Sequence, residues 1–399
     1  MPKGRARALA AACALVALAS AISPARAGPL GQTAPACTFT LGFAALRAQI
    51  GPATTGDCVE NERHSTVSGD AAQRTTRGLL VWRKADNWTA FTDGFRTWVG
   101  GPAGLEIRLN TERFAWEADA AAFPRPAPPP GAAVLLAAGD VAACQPERLA
   151  NAEATARLLD MLDGTIAVLG DSAYESGTED ELTRCYGPTW GRHLARTRPA
   201  AGNHEYLTPG AAPYFRYFGA AAGDPSRGYY DYRLGTWHIL ALNSNCEQVG
   251  GCGAGSPQER WLRATLATDP ALCTLAYMHH ARFSSGSEHG NQVALEPLWQ
   301  ALYDAGADLV LAAHDHHYER FAPKGPDGRL DPLRGLRSFV VGTGGNDTRG
   351  TGAIEAGSEV RQGGVHGVLR LTLDPGAYTW EFVPEPGRSF RDTGSDRCH

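Results

Sequence analysis

The chain has 399 residues, enough for one large domain or two. Hydrophobic residues make up 43% and charged residues 20%, which excludes a disordered or fibrous protein. The formal net charge of −5 marks no nucleic-acid-binding face, and beyond the first residues no run of ~18 apolar side chains is present to span a membrane.

Residues 1–27 read as a secretory signal peptide. Lys3, Arg5 and Arg7 form its basic start, Ala8 to Ile22 its apolar stretch, and Ala25-Arg26-Ala27 a small-x-small cleavage site. Removing it takes away basic residues and no acidic ones, so the mature chain is more acidic still. It also takes away Cys13 and leaves eight of nine cysteines, an even number that implies disulfides in an exported chain. Cys37 with Cys58, and Cys246 with Cys252, are the expected local pairs. Residues 28–36 read as a disordered lead.

Residues 37–120 read as a small α+β module. A helix is expected over Leu41 to Ile50. A β-hairpin follows, from Gly78 to Trp82 and Trp88 to Thr92 across a turn at Lys84 to Asn87, and then strands at Arg96 to Val99 and Leu105 to Arg108. Five prolines between Phe123 and Pro130 mark residues 121–133 as a stiff linker. From 134 to 399 strands alternate with helices. Strands are predicted at Val134 to Ala138, Thr165 to Leu169, Cys273 to Met278 and Asp308 to Ala312, and helices at Glu147 to Asp163, Pro257 to Ala267 and Leu295 to Ala305. Tyr229 to Leu234 and Thr236 to Leu242 read as an antiparallel pair. Arg337 to Val341, Gly367 to Leu373 and Tyr378 to Val383 add further strands. The pattern predicts an α/β class, with two packed sheets flanked by helices.

Five polar clusters punctuate this second region: Gly139-Asp140, Gly170-Asp171-Ser172-Ala173-Tyr174, Gly202-Asn203-His204-Glu205, Met278-His279, and His314 through Arg320. Each is expected to follow a buried Val, Leu and Ala strand, where α/β proteins assemble their sites. Asp, Asn, His and Tyr suit hard-to-borderline cations. Two cations ~3.5–4 Å apart need an anionic bridge, and Asp171 is the candidate, with Asp140 terminal. Tyr174 can bring a phenolate to the first metal, which favours a trivalent ion such as ferric iron. Asn203 offers an amide oxygen. His279 or its neighbour His280, with His314 and His316, supplies imidazoles. His314 and His316 reach different metals only where the strand end turns.

In type, order and spacing these clusters resemble the purple acid phosphatase branch of the calcineurin-like metallophosphoesterases, of secreted bacterial type, over roughly residues 131–398. The resemblance implies an α/β/β/α sandwich. It also implies that Asp140, Asp171, Tyr174 and His316 hold the first metal, and Asp171, Asn203, His279 and His314 the second. Iron is expected at the first site and zinc, manganese or iron at the second. His204 is expected to serve the leaving oxygen, and His289 to face the substrate. Ala142 stands where another branch carries His, which agrees with the Tyr-bearing branch, and Ala313 replaces the usual Gly.

The expected function is therefore a secreted hydrolase of phosphoric monoesters in which a metal-bound hydroxide attacks. A phosphodiesterase or nucleotidase on the same metals is the alternative. The expected location is extracellular, in the periplasm or at the cell surface. The 37–118 segment resembles a module of exported bacterial proteins. A cell-wall contact through its tryptophans is a second reading, against a simple core role. His317 and His238 are expected to be supporting or core histidines. Asn243-Ser244-Asn245 is expected either to support the site or only to turn the chain.

Overall fold

The computed structural model describes residues 37–64, 69–84, 87–93, 96–101, 104–109 and 132–399. The expected signal peptide, the expected lead at 28–36 and nearly all of the expected 121–133 linker lie outside the described residues. The chain divides into two compact units, Met1–Ala121 and Ala122–His399.

The first unit is a six-stranded antiparallel sheet in sequence order, with the helix Leu41–Ile50. The expected hairpin pairs Gly78–Arg83 with Trp88–Thr92, Val81 opposite Ala90. Phe43 and Leu46 of the helix bury against Leu80 and Phe91, with Trp82 and Trp98 packed at the edge. Trp88 sits in a second small cluster with Ala90 and Val99. These three tryptophans thus serve the interior; Trp116 lies outside the described residues. The Cys37–Cys58 disulfide closes the unit's start.

The second unit holds two large sheets. One runs in the order Thr197–Ala200, Thr165–Leu169, Ala133–Ala138, Gly367–Asp374, Ala377–Pro384, Thr393–Arg397. Its first three strands are parallel, and the last three return antiparallel. The other runs Tyr230–Leu234, Trp237–Ala241, Thr274–Tyr277, Leu309–Ala312, Leu336–Val341, Tyr318–Lys324, Ser358–Gln362, with four parallel strands at its centre.

Strand alternation explains the layering. Ile239, Leu275, Leu309 and Leu311 face one core together with Leu135, Ala167, Leu369 and Leu371 of the first sheet. Their neighbours Leu240, Ala276 and Val310 face a second core with Leu262 and Leu298, from the helices Pro257–Thr268 and Glu296–Asp304. Ala152, Ala156 and Leu159 of the helix Pro146–Met161 close the outer face of the first sheet. The expected two-sheet sandwich with flanking helices is the observed one.

Within the two large sheets of the second unit, four strands were not expected: Thr197–Ala200, Tyr318–Lys324, Ser358–Gln362 and Thr393–Arg397. Thr197–Ala200 carries Arg198 and Pro199 and occupies a sheet edge, where a missing N–H is tolerated. The loop bearing Asn203 therefore does not follow a Val, Leu and Ala run.

Both expected disulfides form, and Cys144–Cys185 and Cys273–Cys398 join them. Trp237 is fully buried between the sheets and donates from Nε1 to the Asp374 carbonyl, 2.9 Å away. Trp237→Ala is expected to cost about 3–5 kcal/mol, read as a lowered midpoint in urea unfolding at unchanged slope.

Candidate metal centre

The loops after the central strands of both sheets converge because backbone bonds stitch them together. Gly139 N donates to Val341 O, Asp140 N to Gly170 O, and Ala313 N to His279 O. Asp140, Asp171 and His314 have φ of 59°, 50° and 70°, left-handed values that non-glycine residues rarely adopt. At His314 this is the turn that the i, i+2 pair needs. Asp140 Oδ2 accepts the His314 N–H at 2.9 Å, and Asp171 Oδ1 the His204 N–H at 3.0 Å.

Two glycines permit the close approach. A Cβ on Gly170 would lie 2.5 Å from the His279 ring, and one on Gly202 2.1 Å from Asp171 Oδ1. Neither neighbour can retreat without giving up its place in the centre.

All seven residues expected to hold metal come together, in two donor groups. The Tyr174 hydroxyl is 2.7 Å from Asp140 Oδ1, 2.9 Å from Asp171 Oδ2 and 3.3 Å from His316 Nε2, which is 3.3 Å from Asp140 Oδ1. His279 Nε2 is 3.0 Å from Asn203 Oδ1, 3.1 Å from His314 Nδ1 and 3.2 Å from Asp171 Oδ2. Asp171 Oδ2 touches both groups. Asp171, His279 and His314 bring ligand atoms within 4.8 Å of one another.

The rings are pre-aimed. His279 Nδ1 is 2.8 Å from the Leu169 carbonyl, and His316 Nδ1 is 2.8 and 2.9 Å from the carbonyl and Oδ1 of Asp347. Each Nδ1–H is thereby engaged, which turns Nε2 inward, the usual supporting arrangement of metal-binding histidines.

The electrostatics fit cations. Burial pushes the Tyr174 phenol well up, and Asp140 and Asp171 push it further. Burial alone lowers His279, but the Asp171 carboxylate outweighs it and raises the ring to about 9. Burial likewise opposes, and Asp140 restores, the charge on His316, which reaches about 10. Burial works against ionised Asp140, yet His316 and His279 hold it below its ordinary value. Oxygens and ring nitrogens facing one another in a buried space are satisfied together by positive charge. The donor set therefore fits metal ions.

His204 and His289 border this centre. His204 Nδ1 lies 2.6 Å from the Glu175 carbonyl, its ring packs on Tyr174 at 4.4 Å between centroids, and Nε2 is 3.9 Å from Asp171 Oδ2. The His289 ring stacks on His314 at 3.9 Å between centroids, and Arg349 donates to its Nε2 at 3.0 Å. His280 faces Ser244 Oγ at 2.8 Å, which leaves His279 as the inward ring. His317 pairs with Glu319 at 3.0 Å and His238 with Asp231 at 3.0 Å, both rings buried. Asn245 Nδ2 donates to the Ala201 carbonyl at 3.1 Å and so supports the Asn203 loop.

Several supporting residues escaped the sequence reading. Glu205 is fully buried and accepts from the N–H groups of Asp171, Ser172 and Gly202 at 3.0, 2.7 and 2.7 Å. Burial and the nearby Asp171 charge push its carboxyl up to about 7, against the pull of those donors. Asp315 accepts from Ser284 Oγ at 2.5 Å and from the N–H of His289 and Gly290 at 3.3 and 3.1 Å, fixing the His289 loop. Glu205 and Asp315 sit inside clusters already singled out, so a carboxylate beside ligands was the available signal. Asp347 and Arg349 follow the strand Leu336–Val341 with no such marker.

Residues 115–318 match the family model of the calcineurin-like phosphoesterases, just over half of the chain. The chain belongs to that family. An uncharacterised protein of Mycobacterium tuberculosis is 29% identical over 217 residues, 44% of this chain and 41% of that protein. Purple acid phosphatase 18 of Arabidopsis thaliana is 27% identical over 169 residues, 38% and 37% of the two chains. The chain thus spans about two-fifths of the length of the curated relatives it matches. In fold, it is similar to a purple acid phosphatase from yellow lupin seeds, with a TM-score of 0.54 and 16% identity over 78% of this chain and 59% of that one. It is also similar to GAP50 of Plasmodium, with a TM-score of 0.52 and 12% identity over 67% and 89%. The likeness to purple acid phosphatases therefore recurs in sequence and in fold.

Gly202→Ala is expected to lower metal retention at least about tenfold, because the added methyl meets Asp171 Oδ1. Metal content after gel filtration, beside an unchanged far-UV spectrum, checks this.

Proposed function

We propose that the chain is an exported two-metal hydrolase of phosphoric monoesters, with the activity in residues 134–399. The observation that carries this reading is the position of Asp171 Oδ2, in contact with both donor groups. Asp140, Tyr174, His316 and Asp171 would hold one cation; Asp171, Asn203, His279 and His314 would hold the other. Tyr174 supports iron at the first position, since a buried phenol between two carboxylates ionises only beside a hard, highly charged cation. Zinc, manganese or iron suits the N/O donors of the second. When bound, the cations supply charge neutralisation for the phosphoryl group and a water-derived nucleophile near neutral pH.

The chain's own residues do the rest. The Glu175 carbonyl fixes the His204 ring through Nδ1 and leaves Nε2 directed toward the centre. In its doubly protonated form, with Nδ1–H held by the Glu175 carbonyl, His204 gives its Nε2 proton to the departing alcohol oxygen as the P–O bond breaks, and water supplies the incoming oxygen. No covalent enzyme intermediate is needed. The Arg349 guanidinium donates to His289 Nε2 and fixes that ring beside the phosphate. A dianionic monoester gains more from two cations than a diester does, which favours the monoester. Four disulfides support export to an oxidising compartment. Among the described residues, no helix is long and apolar enough to cross a membrane. We assign no ligand to residues 37–120.

His204→Ala is expected to lower kcat on p-nitrophenyl phosphate by about 10²–10⁴ with metal content retained. Loss of metal in that variant would make His204 a ligand instead and remove its role at the leaving group.

A further inference from the structure

A cavity of about 410 Å³ opens beside the metal centre, with Asn203 and His280 in its wall. Its volume lies within the ~300–1,000 Å³ of small-molecule sites. Asn245, Gln248 and Gln292 contribute carboxamides, Glu247 a carboxylate, and Leu207 an apolar side chain that is 62% exposed. Lys and Arg are absent from its lining. Carboxamides both donate and accept, so they match hydroxyls or the edges of a heterocycle.

The wall is rigid by construction. The turn Cys246–Gln248 is closed by the Cys246–Cys252 disulfide, by Gln248 N to Asn245 O at 2.9 Å, and by Gly251 N to Cys246 O at 2.8 Å. Asn245 is anchored to Asn243 Oδ1 through N and Nδ2, both at 3.0 Å. The exposed side chains of Glu247 and Gln248 make no hydrogen bond of their own among the described residues, so their polar groups are free to pair with a ligand.

Charge is distributed unevenly around the centre. Arg349 lies at His289 and near Asp347, and Arg148 at Glu175. Glu247 lies on the Asn203 side. Each arginine is also paired with a carboxylate, Arg349 with Glu288 at 2.8 Å and Arg148 with Glu175 at 3.2 Å, so the phosphate is held chiefly at the metal centre and the rest of the ester is left to the cavity.

We infer that this cavity receives the alcohol portion of the ester and selects an uncharged, hydrogen-bonding group of nucleoside or sugar size, with Glu247 rejecting a second phosphate. This rests on the phosphomonoesterase reading above.

The test uses the metal-loaded full chain and its Glu247→Lys and Gln248→Ala variants. The substrates are p-nitrophenyl phosphate, adenosine 5′-monophosphate, adenosine 3′,5′-bisphosphate, fructose 6-phosphate and fructose 1,6-bisphosphate, with calorimetric Kd values for the two adenosine compounds. The wild type is expected to prefer each monophosphate over its bisphosphate. Glu247→Lys is expected to narrow that preference about tenfold, through KM and Kd rather than kcat. Gln248→Ala is expected to raise KM for the preferred monophosphate, and the adenosine and fructose pairs tell nucleoside from sugar. Turnover of p-nitrophenyl phosphate with ratios and Kd values indifferent to Glu247→Lys would overturn the cavity's role. Absence of any turnover by the metal-loaded wild type would instead overturn the phosphomonoesterase reading, and this inference with it.

Discussion

Glu205 is the clamp on which the centre depends. Its buried carboxylate takes three backbone N–H groups from two loops, Asp171 and Ser172 on one and Gly202 on the other. Without it those donors would be buried and unpaired, at about 1–3 kcal/mol each. With it, Asp171 is held in a left-handed conformation, close enough to Gly202 that only hydrogen fits between them. Asp171 also touches both donor groups through a single oxygen, Oδ2. Backbone strain at Asp140, Asp171 and His314 is thus sustained by hydrogen bonds among the loops themselves.

The fold supplies the platform for this clamp. Alternate residues of the central strands feed two separate cores, so the strands are fixed on both faces and their ends cannot drift. The donor side chains come from both sheets, Asp140 and Asp171 from one, His279 and His314 from the other. The buried contact between the sheets therefore sets the distance between the donor groups. Support continues outward, from His316 to Asp347, from Asp347 to Arg349, and from Arg349 to His289.

Much of this was legible in the sequence. The central strands are short apolar runs with turn residues behind them, so Thr165–Leu169 or Leu309–Ala312 announce themselves, as do the Asp and His residues that follow. The polar edge strands were not legible. Thr197–Ala200 contains proline, and Ser358–Gln362 and Thr393–Arg397 have half-exposed polar faces without a strong alternation. The supporting contacts were hidden for a different reason. Asp347 meets His316 across 31 residues and Glu205 meets Asp171 across 34, and no local spacing encodes such pairs. Asn245 reaches the Ala201 carbonyl across 44 residues, a pairing that its own turn does not encode.

The central claim is that one carboxylate, Asp171, joins two cations and that Tyr174 ligates one of them. Metal content together with a visible absorption spectrum, taken on the wild type and on Tyr174→Phe, tests it most directly. The account predicts two metals per wild-type chain, one of them iron, with a broad visible band that disappears in Tyr174→Phe. A single metal per chain, or a visible band that survives in Tyr174→Phe, would contradict it.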